Sequence, residues 1–325
     1  MPKFCRHGGV LERCPICRST IQTPAAGAAA RPPRAKSAAR GRAGPPKPAA
    51  SRSGVRVRRE ARAADDGYRC LLVPGLRAEI EARNLAREAA FACGRLRLLA
   101  ADPPGLYAEA ASEPDLEEAT WLVFQIVHLS PMDGDDPWAG IRAARTTWGS
   151  GLSPALTGVP LGTRTSVDAA RSSRTLEAYR RWARTAGSQE AAFTGDAGFT
   201  PERRFERIYE RLSLPGFGRR GRYDLLTTLG HLGRYPLRAP GLLLTEDDAT
   251  GVAAKRIFAI GDRMTLERRA GALAAAAAVP FEALDLALPN WAAGARVTLG
   301  APPETTDADA EASMLAALEL QPAVS

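Results

Sequence analysis

The stretch Leu214-Pro-Gly-Phe-Gly-Arg-Arg-Gly-Arg222 sets the fold of this chain, because it joins two helical patterns through a very short turn. Apolar Ile208 and Leu212 precede it at helix spacing, and a new helical pattern begins directly after Gly218. Two glycines at alternate positions permit backbone conformations that other residues resist. The sequence therefore predicts a helix, a tight hairpin turn and a second helix.

The start of this second helix is a candidate DNA-binding site. Its first N–H groups have no acceptor within the helix, and the helix dipole adds partial positive charge there, so a phosphate can bind without any particular base. Arginines in a first helical turn are favourable only when an anion lies close to them. A simple connector between two helices is the alternative interpretation. The residues expected to contact DNA are Leu214, Pro215, Gly216, Phe217, Gly218, Arg219, Arg220 and Arg222.

The positive charge of the chain is concentrated at its amino-terminal end. Of the 325 residues, 45% are hydrophobic, which is enough for a sizeable core. Residues 1–63 contain 15 Lys+Arg and 2 Asp+Glu, a net charge of +13, whereas residues 64–325 contain 29 and 34, a net charge of −5. We therefore expect the body to bind DNA through local patches, with the amino-terminal segment adding non-specific, salt-sensitive attraction.

The sequence predicts neither a membrane span nor a secretion signal. No apolar run approaches the roughly 20 residues of a membrane span, and the first ten residues lack the apolar core of a signal peptide. We expect an intracellular, cytoplasmic protein that associates with the nucleoid, and nothing in the sequence indicates a protein partner.

Four metal-binding side chains lie close together near the amino terminus: Cys5, His7, Cys14 and Cys17. Gly8-Gly9 separates the two pairs and lets the chain reverse. This spacing suits a closed tetrahedral site, so the sequence predicts a structural zinc ion. A redox Cys-x-x-Cys and a disordered tail with incidental cysteines are the alternatives.

Composition divides the chain into four parts. Residues 1–22 contain the predicted zinc knot. Residues 23–64 are rich in Ala, Pro, Gly, Ser and Arg and cannot bury enough apolar area to offset chain entropy, so they are predicted to form a disordered basic linker. Residues 65–300 form the predicted helical domain, and residues 301–325 a C-terminal tail.

Helical periodicity dominates the predicted domain, and runs of alternating β-branched residues are missing from it, so the predicted fold class is all-α. Residues 116–128 are too apolar for a surface helix and predict a core helix, with His128 as a hydrogen-bonded core residue. Residues 149–174 are long and irregular for a loop in a compact domain. Three arginines of this segment are candidates for phosphate or substrate contact: Arg164, Arg171 and Arg174.

The second half of the chain carries Thr245-Glu-Asp-Asp248, Gly261-Asp262 and Val279-Pro280 between helical patterns. This order of elements resembles the helix-hairpin-helix DNA glycosylase superfamily. Its members, such as endonuclease III, share Leu-Pro-Gly-x-Gly, an aspartate heading a helix and a helix ending in Val-Pro. The resemblance spans roughly residues 112–295 and implies a glycosylase-like fold with DNA as the partner.

Several short stretches carry a narrower resemblance: Leu129-Ser-Pro131, Asp135-Asp-Pro137, Phe193-Thr-Gly-Asp196, Leu214-Pro-Gly-Phe-Gly218 and Ala254-Lys-Arg-Ile-Phe258. They look like a bacterial group, the alpha-glutamyl/putrescinyl thymine pyrophosphorylases. This resemblance implies an enzyme that acts on modified thymines in DNA. It would either excise the base or exchange a substituent on it.

The superfamily resemblance implies a catalytic aspartate at Asp248, with Asp247 as the competing position and Asp262 as a third candidate. A carboxylate at a helix start beside a phosphate-binding hairpin can face the sugar of a flipped nucleotide, where it stabilises oxocarbenium-like charge or activates water. The alternative is that Asp247 and Asp248 only cap the helix. Arg220 matches the position of the Schiff-base lysine of bifunctional glycosylases, and an arginine cannot take that role.

The sequence is therefore compatible with three functions. The chain is a monofunctional DNA glycosylase, a thymine-modifying transferase of the pyrophosphorylase type, or a non-catalytic DNA-binding protein that retains the fold. The first two predict that the correct aspartate is essential, and only the first leaves an abasic site. The third predicts that Asp248→Asn changes nothing except affinity.

Overall fold

The fold is built from helices throughout the part of the chain that the structure describes. The computed structural model describes residues 63–152, 156–167, 172–245 and 248–321, with the backbone alone for residues 172 and 173. Within these ranges there are twelve helices and no strand, which confirms the all-α prediction there. The helices are α1 (Glu79–Ala101), α2 (Leu106–Ser112), α3 (Leu116–Leu129), α4 (Ala139–Ala144), α5 (Ser172–Thr185), α6 (Gln189–Thr194), α7 (Pro201–Arg211), α8 (Arg219–His231), α9 (Ala249–Phe258), α10 (Arg263–Ala276), α11 (Phe281–Ala293) and α12 (Ala308–Ala317).

Helix α1 forms one side of the first of two hydrophobic clusters. It packs mainly against α11 and α12. The packing face of α1 is rich in alanine, and Ala82, Ala86 and Ala89 are fully buried, so neighbouring helices can approach closely. Leu284 and Leu288 of α11 belong to the same cluster. Burying each of these leucines contributes roughly 1.5–3 kcal/mol.

The second hydrophobic cluster surrounds α3, in which residues 119–129 are all buried. Phe124 stacks on Tyr179 of α5 with ring centroids 3.8 Å apart, and it contacts Phe217 of the hairpin turn at 5.3 Å. Aromatic pairs of this kind add about 0.5–1.5 kcal/mol beyond the area they bury. The prediction of a core helix at residues 116–128 is confirmed, and this helix anchors the hairpin turn in the core.

Side-chain caps fix where the helices around the hairpin begin. Thr200 caps α7 by accepting from the Arg203 N–H at 3.2 Å, with Pro201 at the first helical position. Asp248 and Asp262 cap α9 and α10 in the same way. These caps fix the residue at which each of the three helices begins.

The segment 301–325, predicted to be a C-terminal tail, contains helix α12. Met314 and Leu318 are buried in the first hydrophobic cluster. The Asp307 N–H donates to the Ala90 carbonyl of α1 at 3.1 Å. The described part of this segment therefore packs as part of the helical body, because an apolar face of α12 covers α1.

Several sequence predictions fall outside the described residues. They concern the zinc knot at residues 1–22 (Cys5, His7, Cys14 and Cys17), nearly all of the linker at residues 23–64, and Asp247. The described residues all belong to one compact unit, Glu60–Ser325. Among them, no group of three or more His, Cys, Asp or Glu is arranged to hold a metal ion.

In the described part of the chain, no single helix has both the length and the apolar character needed to cross a membrane. One pair, α10 and α11, meets the length and composition criteria only when the two are counted together, with a bend of 108° between them.

Candidate active site

The hairpin turn between α7 and α8 is held in shape by its own backbone and by one buried ring. The Phe217 N–H donates to the Leu214 carbonyl at 3.1 Å, and Gly216 has a φ of +75°, which favours glycine. The Phe217 side chain is only 1% exposed. A Cβ at Gly221 would lie 2.8 Å from the Phe217 ring, so α8 needs glycine where it passes over that ring. The predicted order of helix, turn and helix is confirmed.

The N-terminal end of helix α8 has no side-chain cap. Gly218 is the N-cap residue and offers no side chain to the first turn. The first backbone hydrogen bond runs from the Arg222 N–H to the Gly218 carbonyl at 3.2 Å, so the N–H groups of residues 219–221 have no acceptor within the helix. A Cβ at Gly218 would meet no described atom within 4 Å. A helix start without a side-chain cap leaves N–H groups that can bind an anion.

An open pocket of about 400 Å³ lies at this helix start. The start of α9 and the irregular segment at residues 164–167 form its other walls. The residues whose chemistry matters most here are Thr165, Ser166, Gly218, Arg220, Asp248 and Ala249. The pocket therefore brings the uncapped start of α8 together with the residue predicted to be catalytic, Asp248.

Arg219 and Arg222, the first and third arginines after the turn, donate to backbone carbonyls of the helical body. Arg219 is 4% exposed, and its guanidinium donates to the carbonyls of Leu242 and Leu243. The prediction that this guanidinium contacts DNA does not fit its position, because internal acceptors already occupy it. Arg222 donates to the Tyr209 carbonyl at 3.0 Å and stacks over the ring of the same tyrosine, 4.2 Å from its centroid.

Arg220 is the arginine of the three best placed to meet a bound anion. Its Nη2 donates to the Thr165 carbonyl at 3.0 Å, which holds the guanidinium at the wall of the pocket. Burial, and next the nearby cation of Arg164, lower the pKa of Arg220. A cation that is disfavoured in this way is stabilised by an anion that binds beside it.

A buried chain of opposite charges lies beneath the hairpin turn. Asp285 of α11 is 1% exposed and pairs with Arg219 and, at 3.4 Å, with Arg164. Arg164 also pairs with Asp224 at 2.9 Å, and Arg219 Nε lies 3.2 Å from Asp248 Oδ2. Burial acts to lower the pKa of Arg219, but Asp285 and Asp248 outweigh it and hold that pKa above its ordinary value. The chain of charges thus connects the pocket with α11 in the core.

Sequence reasoning missed Asp285. The available signal was an acid in the middle of the apolar run Ala283–Leu288 of α11, since a buried carboxylate needs a partner of opposite charge. Arg164, predicted as a phosphate or substrate contact, is 6% exposed and belongs to this internal network. Arg174 is exposed near the start of α5, and Arg171 lies outside the described residues.

Asp248 combines helix capping with a place in the pocket wall. Its carboxylate accepts from the Gly251 N–H at 2.7 Å and from the Thr245 hydroxyl at 3.1 Å, in addition to its pairing with Arg219. Its side chain nevertheless keeps 15% of its surface exposed. The capping interpretation of Asp248 is therefore confirmed. Its catalytic role stays a prediction, and the residue is one of those that line the pocket.

Asp262, the other candidate aspartate among the described residues, does not line this pocket. Asp262 caps α10 by accepting from the Thr265 N–H at 2.8 Å, and it is exposed at the surface. Hydrogen bonds from Thr265, first from its side chain and then from its backbone, lower the pKa of Asp262. Asp247 lies outside the described residues. Of the two described candidates, Asp248 alone lines the pocket.

The prediction that His128 is a hydrogen-bonded core residue is confirmed. Its side chain is 1% exposed, and its Nδ1 lies 2.7 Å from the Ser166 Oγ. Burial lowers the pKa of His128 to about 4, so the imidazole is neutral near pH 7. Ser166 itself lines the pocket, which makes His128 the residue directly behind that wall.

Residues 164–295 match the family model described as alpha-glutamyl/putrescinyl thymine pyrophosphorylase clade 3. The resemblance to these pyrophosphorylases is thereby confirmed over residues that include α8, α9, α11 and the pocket walls. No curated protein and no solved structure matches the chain. The family name indicates thymine modification of a pyrophosphorylase type. The all-helical structure is consistent with the helix-hairpin-helix superfamily, and that wider placement stays a prediction.

Proposed function

We propose that this chain, similar to the alpha-glutamyl/putrescinyl thymine pyrophosphorylases over residues 164–295, is a DNA-binding enzyme that exchanges a substituent on a modified thymine. The observation that supports this most strongly is the content of the pocket. Arg220 and the open start of α8 share it with the Asp248 carboxylate. A reaction that releases or takes up pyrophosphate needs donors for a multiply charged anion and a group that accepts a proton. This pocket supplies both.

The hairpin turn and helix α5 together support DNA binding. The uncapped N–H groups at the start of α8 suit a phosphate in any sequence context. The Thr175 hydroxyl donates to the Pro215 carbonyl at 2.6 Å, so α5 begins beside the turn. Arg174, Arg181 and Arg184 are exposed on one side of α5 by their helical spacing. A duplex bound at the turn would pass its backbone near these arginines.

Salt dependence tests the DNA-binding part of the proposal. The affinity of the full-length protein for a duplex should fall steeply as salt rises, because bound phosphates release counterions. Deleting residues 1–63, which carry a net charge of +13, should reduce that slope. A slope that the deletion leaves unchanged would contradict a role for this segment, and affinity without salt dependence would contradict phosphate binding altogether.

The simplest balanced reaction joins an amine to the thymine. The nitrogen of an amine, such as glutamate or putrescine, attacks the exocyclic carbon of a thymine that carries a pyrophosphate there. A C–N bond forms, the C–O bond to pyrophosphate breaks, and pyrophosphate leaves with the electron pair of that bond. Asp248 accepts the proton that the amine loses. Arg220 and the N–H groups of residues 219–221 stabilise the charge on the leaving group.

The position of Asp248 also favours a second function, that of a monofunctional DNA glycosylase. A carboxylate beside the phosphate-binding turn would stabilise oxocarbenium-like charge on the sugar of a flipped nucleotide or activate water. Water would then replace the base and leave an abasic site. Because Arg220 stays protonated and forms no Schiff base, this function would not include lysine-dependent strand cleavage.

An assay with three readouts separates these functions. The full-length protein is incubated with three duplexes, with and without glutamate or putrescine. They differ at the position of the thymine methyl group, which is either kept or replaced by a hydroxymethyl or a pyrophosphorylated hydroxymethyl group. Pyrophosphate release together with an altered base in mass spectra supports substituent exchange. Abasic sites revealed by alkaline cleavage support the glycosylase and contradict exchange. Binding without any product would contradict both enzymes and favour a non-catalytic DNA-binding protein.

A further inference from the structure

Ser166 is held rigidly at the wall of the pocket by the end of helix α3. The Ser166 N–H donates to the His128 carbonyl at 3.0 Å, and the Thr165 hydroxyl donates to the same carbonyl at 2.8 Å. The Val167 N–H in turn donates to the Thr165 hydroxyl at 3.0 Å. Three successive residues are therefore fixed by hydrogen bonds, and the position of the Ser166 hydroxyl is set before any ligand arrives.

The ring of His128 decides what the Ser166 hydroxyl can do. A neutral imidazole carries one N–H, at either Nδ1 or Nε2. Nδ1 lies 2.7 Å from Ser166 Oγ, whereas the buried Nε2 has no hydrogen-bond partner among the described residues. A proton on Nε2 would leave a buried donor without an acceptor, which is unfavourable. A proton on Nδ1 instead gives Ser166 a good donor and leaves only a lone pair without a partner.

With the proton on Nδ1, the Ser166 oxygen accepts and its own O–H remains available. The other acceptor within reach is the His128 carbonyl at 3.4 Å, and that oxygen already accepts two shorter hydrogen bonds. The remaining direction for the hydroxyl proton is the pocket, where Arg220 and the start of α8 already provide positive charge. A hydroxyl with a spare proton in such surroundings suits an anionic ligand.

We propose that Ser166 donates a hydrogen bond to the phosphate group of the ligand in this pocket, and that His128 is the residue that positions its hydroxyl for this. The inference rests on the proposed function, because it assumes that the pocket takes a pyrophosphate-bearing substrate or pyrophosphate itself. Ser166 then completes a set of donors from three elements. The set consists of the open start of α8, the Arg220 guanidinium and this hydroxyl.

Isothermal titration calorimetry of the full-length protein with inorganic pyrophosphate tests the role of Ser166. Ser166→Ala should weaken pyrophosphate binding about 10-fold, because a hydrogen bond to a charged group is lost. Ser166→Thr, which keeps the hydroxyl, should stay within about 3-fold of wild type. Thr163→Ala is the matched control, since Thr163 is an exposed hydroxyl residue of the same segment. Equal affinities for wild type and Ser166→Ala would overturn the proposal.

A second pair of variants tests the positioning role of His128. Asparagine places its side-chain N–H close to where Nδ1 lies, whereas phenylalanine keeps a ring that can stack on Phe124, as His128 does at 5.6 Å. His128→Asn should therefore retain pyrophosphate binding, and His128→Phe should lose it by the same factor as Ser166→Ala. Combining His128→Phe with Ser166→Ala should cause no further loss. The opposite order, with phenylalanine tolerated and asparagine not, would show a packing role and overturn positioning.

Arg220→Gln separates failure of this inference from failure of the proposed function. If wild type binds pyrophosphate, Arg220→Gln loses it and Ser166→Ala does not, the inference about Ser166 is wrong and the proposed pocket stands. If wild type does not bind pyrophosphate at millimolar concentration, the assignment of the pocket as a pyrophosphate site is wrong, and the role of Ser166 falls with it.

Discussion

Arg219 Nε lies 3.2 Å from Asp248 Oδ2, and the same guanidinium pairs with the buried Asp285 of α11. The first residue of α8 thus holds the carboxylate that caps α9. Because Arg219 is 4% exposed, these partners and not water determine where its charge lies. The relative position of the open start of α8 and the Asp248 carboxylate is therefore fixed by charges inside the core.

Asp285→Asn should strongly destabilise the protein. The change keeps the size of the side chain but removes the charge that Arg164 and Arg219 share, and breaking a buried pair in this way costs about 3–5 kcal/mol. Denaturant unfolding measures the loss directly. Asp224→Asn is the control, because that side chain is 17% exposed, compared with 2% for Asp285, and should cost clearly less. Equal losses would contradict the central place of Asp285.

Gly221→Ala should destabilise the hairpin, whereas Gly218→Ala should not. A Cβ at Gly221 would lie 2.8 Å from the buried Phe217 ring, and overpacking of this kind costs about 1–3 kcal/mol. A Cβ at Gly218 meets no described atom within 4 Å, so that variant should stay within about 1 kcal/mol of wild type. The midpoints of guanidinium unfolding compare the two variants. Similar midpoints would mean that the ring does not hold the turn.

The stability of the protein should depend on pH through His128. Burial lowers its pKa in the folded protein from 6.5 to about 4. As pH falls from about 6.5 to about 4, the unfolded chain takes up a proton at this ring and the folded protein does not, so the free energy of unfolding decreases. Each unit of pKa difference is worth about 1.4 kcal/mol.

His128→Asn isolates this contribution, because all other titrating groups are retained. His231 is among them, since burial, and next Arg95 and Arg238, also lower its pKa to about 4. The free energy of unfolding of wild type should fall more steeply between pH 6.5 and 4 than that of the variant. Parallel pH profiles would contradict a buried neutral His128.

The amino-terminal segment should carry one zinc ion. We propose that Cys5, His7, Cys14 and Cys17 bind it, because Cys-x-x-Cys and a nearby Cys-x-His pair complete a tetrahedral set. Elemental analysis of purified protein should give one zinc per chain, and Cys14→Ser should lower this value. Cys93→Ser is the matched control, because Cys93 is buried in the helical body. Purified wild-type protein without bound metal would contradict the site.

Local features of the fold could be predicted from the sequence, because they depend on residues that are close in the chain. The hairpin turn follows from Leu214-Pro-Gly-Phe-Gly218, and the core helix follows from the apolar residues 116–128. The capping position of Asp248 follows from its place before a helical run. In each case the determining interactions lie within a few residues.

The charge pairing at the site could not be predicted in the same way. Arg219 was expected to face DNA because it stands in the first turn after the hairpin. Its partner Asp285 lies 66 residues away, and only the packing of α8, α9 and α11 brings the two together. Nothing local distinguishes a buried arginine from the more accessible Arg220 beside it. The packing of α12 on α1 escaped prediction for the same reason, since the segment is short and its contacts are distant in sequence.

The most direct test of the account is turnover of a pyrophosphorylated thymine duplex by Asp248→Asn and Asp262→Asn. Both aspartates cap a helix, and asparagine caps nearly as well. Asp248→Asn also removes one of the two carboxylates that pair with Arg219, but Asp285 stays paired with that guanidinium, so both variants should fold and bind the duplex. Asp248→Asn should lower the rate of pyrophosphate release at least about 100-fold, because the proton acceptor is lost, and Asp262→Asn should leave it near wild type. Equal rates for the two variants would contradict the assignment of the pocket at the start of α8 as the active site.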